Sequence, residues 1–241
     1  MKLDLSKIKF SRFDVKRGLK LPAELNEKLA EDIGIMIGDG HIGKKIRPRK
    51  AVDYNIVYSG NAISDKRYAL DYVRRLKWEL YGLDFPVSFK GKNRTEIRLK
   101  INSKALVEFY TKIIGLPINK KKNICIPSLI WKNKNFVKAC LRGIVDTDFS
   151  FCIKRNNYPV IKLGTASKKL VKDCKKAFKL IGLETNIQTD VKVIHSRTKR
   201  KHVTNYIYLN GREKFKKYIK EIGFNNPKNL MKVEKYGREG I

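Results

Sequence analysis

The feature that most constrains this chain is a pattern of small and acidic residues that occurs twice, 109 positions apart. The matched sets are Ala30, Gly34, Gly38 and Asp39, and Ala139, Gly143, Thr147 and Asp148. Residues four apart share one helix face, so each copy predicts a helix with a stripe of small side chains. A glycine inside a helix costs up to about 1 kcal/mol relative to alanine, which implies a compensating contact. We therefore predict that the two helices pack closely, with Gly34, Gly38, Gly143 and Thr147 at their interface.

The segments around these helices repeat as well. Leu-Tyr-Gly-Leu at 80–83 resembles Leu-Ile-Gly-Leu at 180–183, and Ile-Ile-Gly-Leu at 113–116 resembles Glu-Ile-Gly-Phe at 221–224. Apolar spacing and glycine or asparagine turns predict helix–strand–strand–helix–strand–strand–helix in both halves, the first helix beginning near Pro22. The expected fold is therefore α+β, a tandem αββαββα repeat with pseudo-two-fold symmetry. The expected domains are a basic, strand-prone extension (1–22), a first half (23–125) and a second half (126–241).

Composition limits the class of partner. The 241 residues include 55 Lys and Arg but only 23 Asp and Glu, a formal net charge of +32. Such self-repulsion favours a polyanionic partner, and nucleic acid is the first candidate. No apolar run is long enough to span a bilayer, and the start lacks the apolar block of a signal peptide. We expect a protein of the cytoplasm or an organellar interior, not secreted and without a membrane partner.

The two acidic residues that end the repeated pattern are anomalous in so basic a chain. A helix C-terminus carries partial negative charge, so Asp39 and Asp148 are poorly placed there, and side by side they would also repel each other. A bound divalent cation resolves the conflict, and oxygen ligands suit Mg²⁺ or another divalent cation such as Mn²⁺. Metal shared with a phosphate is a standard route to phosphodiester hydrolysis.

Basic residues recur in the predicted strands. Alternation along a strand puts one set of side chains on one sheet face, and a basic face suits contacts with DNA phosphates and guanine edges. The predicted DNA-binding residues are Lys45, Arg47, Arg49, Arg94, Arg98, Lys100, Lys192, Arg197, Lys199 and Lys201.

The repeated motifs also resemble those of a known family. LAEDIGIMIGDG at 29–40 and LRGIVDTDF at 141–149 are similar to the paired motifs of the single-chain LAGLIDADG homing endonucleases, although Phe149 stands where glycine is usual. The resemblance implies a monomer with a central two-helix interface and saddle-shaped antiparallel sheets that lie in the DNA major groove. It also implies that Asp39 and Asp148 bind the metals. The sequence has no opening cysteine or closing His-Asn pair, so it resembles the free-standing type rather than an intein.

The same resemblance nominates further catalytic residues. Family members often use a lysine from each half near the active site, after the helix that follows the fourth strand. By alignment of the two halves these are Lys120 and Lys228, with Lys121 the nearest rival. Asn61 and Thr165 match a water-positioning residue of the family by location only.

The expected function is site-specific, metal-dependent hydrolysis of double-stranded DNA at a long target, as in intron homing. The alternative is an RNA maturase or a DNA-binding regulator on the same scaffold without cleavage, and intron RNA would be a second partner if maturase activity coexists. A ribosomal-type RNA binder explains the charge but not the matched acids. Relatives that no longer cut often lose a motif acid, and the presence of both favours the nuclease.

Overall fold

The computed structural model describes residues 1–48, 52–119, 122–194 and 200–240. The helices are α1 (Arg12–Lys16), α2 (Glu27–Gly38), α3 (Arg74–Tyr81), α4 (Lys104–Glu108), α5 (Lys134–Asp148), α6 (Lys168–Leu180), α7 (Arg212–Glu221) and α8 (Pro227–Gly240). A π-helical segment, Tyr68–Val73, leads into α3, and a second one, Phe109–Ile114, continues α4. The strands are β1 (Gly40–Ile46), β2 (Val52–Asn61), β3 (Val87–Lys90), β4 (Glu96–Asn102), β5 (Phe149–Lys154), β6 (Tyr158–Thr165), β7 (Asn186–Ile194) and β8 (Lys201–Asn210).

The strands form two four-stranded antiparallel sheets with the same topology. The first has the order β1-β2-β4-β3 and the second the order β5-β6-β8-β7. Each half runs helix, two strands, helix, two strands, helix, from α2 to α4 and from α5 to α7. The predicted α+β tandem repeat is thus confirmed.

Each sheet has one apolar face covered by helices and one open face. In the second sheet, Phe149 makes an edge-to-face ring contact with Phe178 of α6, and Phe151 stacks on Phe215 of α7. The alternate residues Ser150 and Cys152 of β5 are exposed. Because side chains alternate along a strand, α6 and α7 cover one face of this sheet and leave the other open.

The amino-terminal segment differs from its prediction as a strand-prone extension. Its only regular elements are an isolated bridge between Lys2 and Glu24 and the short helix α1. Ser11 and Asp14 form a capping box that starts this helix, because each side chain binds the other's backbone N–H. The strand prediction was wrong because local capping outweighed the alternation of apolar residues.

Three other element predictions also need correction. The first motif helix begins at Glu27 rather than near Pro22, since the Asn26 side chain accepts a hydrogen bond from the Leu29 N–H and caps it. Helix α8 was not predicted. Arg94 was placed in a strand, but it lies in the turn before β4 with a φ of 53°.

The described residues include no helix that is long and apolar enough to cross a membrane.

Candidate functional site

Helices α2 and α5 pack against each other at their glycines. A Cβ atom added to Gly34 would lie 2.1 Å from the Cys140 carbonyl oxygen, and one added to Gly143 would lie 2.3 Å from that of Glu31. Both distances are far below van der Waals contact, so only glycine permits this separation of the helices. The two contacts are equivalent under the 109-residue offset, which makes the interface pseudo-symmetric. The close packing predicted for Gly34 and Gly143 is present in the structure.

The same interface brings the carboxyl ends of the two helices together. A Cβ on Gly38 would lie 1.9 Å from the Thr147 Oγ1 atom and 3.4 Å from the Asp148 carboxyl carbon. Asp39 follows Gly38 directly and ends α2, where its N–H donates to the Ile35 carbonyl. The Asp148 carboxyl therefore lies beside the residue that precedes Asp39, with Asp148 exposed and Asp39 half-buried.

The backbone around Asp39 is fixed by the first sheet. Its carbonyl accepts a 3.1 Å hydrogen bond from the Ser59 N–H of β2. The neighbouring Tyr58 hydroxyl is buried, and its pKa is raised by burial and then by the negative charges of Asp39 and Asp65. The Tyr58 hydroxyl therefore lies within electrostatic reach of both Asp39 and Asp65.

The donor set at this point fits a divalent ion that is shared with a substrate. Mg²⁺ binds through one or two carboxylates, waters and substrate phosphates rather than in an all-protein cage. In the described ranges, no group of three or more His, Cys, Asp or Glu side chains is arranged to hold a metal. The Asp39 and Asp148 carboxylates supply oxygen donors of the kind that such a shared ion accepts.

Lys228, one of the two predicted catalytic lysines, lies in the first turn of α8. Its ammonium group is 2.5 Å from the Asp65 carboxylate of the other half, and the pair is largely buried. Burial would raise the pKa of Asp65, but hydrogen bonds and charge from Lys228, with bonds from Asn61 N–H and Asn226, lower it instead. Sequence reasoning missed Asp65, because no periodic signal joins it to a residue 163 positions away.

Lys120 and its rival Lys121 lie outside the described residues. The segment just before them is held against β1, where Asn119 N–H donates to the Ile42 carbonyl and the Asn119 amide donates to the Lys44 carbonyl.

A polar network crosses the interface behind the two motif acids. The Arg142 guanidinium of α5 lies 2.5 Å from the Glu31 carboxylate of α2, which also accepts hydrogen bonds from the Tyr72 hydroxyl and the Asn225 amide. Glu31 is buried, and each of its partners comes from a different element. This network sets the relative position of the two halves, and no single-motif pattern in the sequence revealed it.

Asp146, the other acid of the second motif, is fully buried. It accepts hydrogen bonds from Asn225 N–H at 2.6 Å and from the Asn229 amide at 3.1 Å. Burial raises the pKa of Asp146 to about 7, although these hydrogen bonds oppose the rise. Its counterpart in the first motif is the apolar Ile37, so this contact to the segment before α8 exists in one half only.

The predicted DNA-binding residues of the first half are partly on the open sheet face. Strand register pairs Val57 with Lys100 and Ser59 with Arg98, which places both basic residues on that face. Lys45 pairs with Asp53 in the same register, and Arg47, just beyond β1, forms an ion pair with Asp53. Arg49 lies outside the described residues, and Arg94 lies in the turn described above.

In the second half, Lys192 lies on β7 and Lys201 begins β8, and both are exposed. Strand register pairs Lys192 with Val203 and Lys201 with Ile194, which places both lysines on the face of buried Ile207 and not on the open face, so their predicted placement was wrong. Arg197 and Lys199 lie outside the described residues. The open face of this sheet holds residues that the sequence pattern did not point to. The Lys162 ammonium lies 4.2 Å from the Tyr206 ring centroid and 5.1 Å from that of Tyr208. The spacing of Tyr206 and Tyr208 around a buried Ile207 could have indicated this aromatic pair on the open face.

Several known proteins are similar to part or most of this chain. A family model described as a LAGLIDADG-like domain matches residues 135–223. One component of the A-type ATP synthase of Pyrococcus abyssi is 32% identical over 162 residues, which is 66% of this chain and 14% of that protein. The replication factor C small subunit of Methanocaldococcus jannaschii is 28% identical over 212 residues, 88% of this chain and 10% of that protein. The chain thus spans a small part of the curated relatives that it matches.

Solved structures match over most of both chains. I-DmoI in complex with DNA and Ca has a TM-score of 0.62 at 16% identity, covering 87% of this chain and 97% of that one. The I-LtrWI LAGLIDADG homing endonuclease bound to target DNA has a TM-score of 0.57 at 11% identity, covering 88% and 90%. The paired motifs, the glycine-mediated helix interface and these matches agree. Residues 135–223 match the LAGLIDADG-like domain, and the chain as a whole has the fold of the solved LAGLIDADG homing endonucleases.

Proposed function

We propose that the chain is a site-specific endonuclease that hydrolyses both strands of a long double-stranded DNA target as a monomer. The observation that carries the proposal is the contact of Gly38 with Thr147 and Asp148, which brings two acidic helix ends together in one chain. Each acid would serve one strand of the duplex. We further propose the boundaries 23–125 and 126–241 for the two halves, with 1–22 as an extension.

The residues divide between holding DNA and cutting it. The open face of the first sheet would bind the duplex through Lys45, Arg98 and Lys100, and that of the second through Lys162. Arginine can bind a guanine edge with two hydrogen bonds, whereas lysine acts as a point charge on phosphates. The saddle shape expected of the two sheets would let both faces follow one major groove.

Asp39 and Asp148 would hold Mg²⁺ or Mn²⁺ between the protein and the scissile phosphates. Such an ion lowers the pKa of water and neutralises charge on the phosphate. Lys228, held by Asp65 near this end of the interface, would stabilise the charge that develops on the phosphate. Lys120 would take the same role in the other half.

The test begins with a target selected from a randomised duplex library. Asp39→Asn and Asp148→Asn remove one charge each and preserve side-chain size. We expect each variant to lose double-strand cleavage in Mg²⁺ while its affinity for the target stays within about twofold, because binding rests on the sheets. Asp71→Asn, an exposed change on the outer surface, is the matched control and should cleave normally.

Full double-strand cleavage by both motif variants would contradict the metal assignment. Tight binding without cleavage by the unmodified chain, in Mg²⁺ and in Mn²⁺, would favour a regulator or a maturase on the same scaffold.

A further inference from the structure

Helix α6 carries a dense lysine face that cleavage of DNA on the open sheets does not use. Its buried side chains are Leu170, Val171, Cys174, Ala177 and Phe178, which face the sheet. All six of its lysines, Lys168, Lys169, Lys172, Lys175, Lys176 and Lys179, are exposed. The lysines are spaced one, three or four residues apart, as the buried residues are, so they lie on the opposite face of the helix. We name these six residues the α6 lysine face.

This arrangement opposes the stability of the helix. Like charges four apart on a helix repel each other, and Lys168, Lys172 and Lys176 form such a series. Cations are also unfavourable in a first helical turn, yet the first turn of α6 begins with two lysines and contains no acid. The only acid of the helix is Asp173, which is half-buried and accepts a hydrogen bond from Ile126 N–H. A face this costly to the helix implies a partner that neutralises it.

The arginines of the corresponding helical layer of the first half are paired within the protein. Arg67 pairs with Asp71 at 3.8 Å, Arg74 with Asp84 at 2.5 Å and Arg75 with Glu79 at 2.9 Å. On α6, within the described residues, only Lys168 has an ion pair, with Asp190. The two halves share one topology but differ in how the charges of this helical surface are paired. A general need for solubility would not produce that difference.

The α6 lysine face points away from the proposed DNA-binding surface. Phe178 of α6 contacts Phe149 on the covered face of the second sheet, so the exposed side of α6 lies beyond that layer. Helix α7 lies next to α6, since Lys217 of α7 donates to the Gly182 carbonyl just after α6. Lys216 and Lys220 extend the positive surface onto α7. One duplex in the sheets cannot reach this surface at the same time.

The chemistry of the face selects phosphate as its ligand. Lysine provides a flexible point charge, whereas base recognition relies on the planar fork of arginine or on aromatic stacking. The face contains no arginine, and the Trp131 ring beside it is covered by the Lys176 ammonium, 4.4 Å from the ring centroid. The 13-residue helix is about 20 Å long. Several successive phosphates of one duplex would fit along that length.

We propose that the α6 lysine face is a second, sequence-independent binding site for duplex DNA. It holds the phosphate backbone of one DNA segment while the sheets hold another. The protein then passes from one segment to another through a doubly bound state, which lets it search DNA without a free intermediate.

The test follows the dissociation of a fluorescent duplex from the complete chain as unlabelled duplex DNA is added. In a doubly bound state the second duplex assists release, so we expect the observed rate to rise several-fold with competitor concentration. In a variant with Lys169, Lys172, Lys175 and Lys179 all changed to Gln, the rate should be independent of competitor. The variant should unfold at the same or a higher temperature, because repulsion along α6 is relieved.

A control variant carries the same loss of charge elsewhere, with Lys2, Lys7, Lys9 and Lys16 changed to Gln, and should behave as the unmodified chain. Three results would each overturn the proposal: a rate independent of competitor in the unmodified chain, an equal rise in the α6 variant, or an equal rise with polyglutamate. Acceleration by duplex RNA with DNA inert would contradict DNA as the occupant. Binding of the labelled duplex itself tests the sheets, so the two proposals fail separately.

Discussion

Arg142 of the second motif helix donates two hydrogen bonds to the Glu31 carboxylate of the first, at 3.1 Å and 2.5 Å. Glu31 is buried while Arg142 reaches partly to solvent, so the arginine is what makes burial of that carboxylate tolerable. The halves are thus joined by charge as well as by the packing of their glycines.

Removing the arginine should expose the cost of the buried acid. We expect Arg142→Met to lower the free energy of unfolding by about 3 kcal/mol, since it leaves Glu31 without its cation. Adding Glu31→Gln should restore part of the loss, and a double-mutant cycle by urea denaturation measures the coupling. Arg75→Met, which breaks an exposed pair with Glu79, should change stability far less. Equal losses from both arginines would contradict the role of burial.

Replacing an interface glycine with alanine should destabilise the protein, although alanine has the higher helix propensity. Gly143→Ala would stabilise an isolated helix by up to about 1 kcal/mol, but its Cβ would meet the Glu31 carbonyl oxygen at 2.3 Å. We expect net destabilisation of about 1–3 kcal/mol, because the helices must separate. Asn135→Ala, on the exposed side of the same helix, is the control. A thermal unfolding temperature that rises for Gly143→Ala would disprove the close contact.

Asp65 should contribute a pH-dependent part of stability. Its pKa lies below the ordinary value of 3.8, because Lys228 and the hydrogen bonds outweigh burial. A depressed folded pKa means that the contribution is present above about pH 4 and lost as the pH falls below it. The unmodified chain should therefore lose more stability than Asp65→Asn on acidification from pH 5 to pH 3, followed by denaturant titration. Parallel pH profiles for the two would rule out this pairing.

The first half also contains a buried ion pair whose two positions are apolar in the second half. Lys77 and Asp32 are fully buried 2.6 Å apart, and burial lowers the pKa of Lys77 despite the opposing charge of Asp32. We expect Lys77→Met to cost about 3–5 kcal/mol, because it strands the carboxylate. Lys77→Met with Asp32→Leu should cost less than Lys77→Met alone, since the corresponding residues of the second half, Leu141 and Ala177, are apolar. Additive losses in calorimetry would contradict this coupling.

The sequence predicted the elements better than their contacts. Two strongly periodic helices with matched small residues sufficed for the fold and for Gly34 against Gly143, because helical spacing fixes which residues share a face. It did not predict α8, because the αββαββα repeat accounts for no helix after the one that ends at Gly223. The partner of Lys228 was also beyond prediction, because a contact between distant segments depends on how the two halves dock.

The Glu31–Arg142 pair also affects which halves can pack together. At the positions equivalent under the 109-residue offset, the first half has Ile33 where the second has Arg142, and the second has Cys140 where the first has Glu31. Two copies of the first half placed together would bury two carboxylates with no arginine, and two copies of the second would bury two arginines with no acid. The charges at this interface therefore favour the pairing of one half with the other over the pairing of either half with a copy of itself.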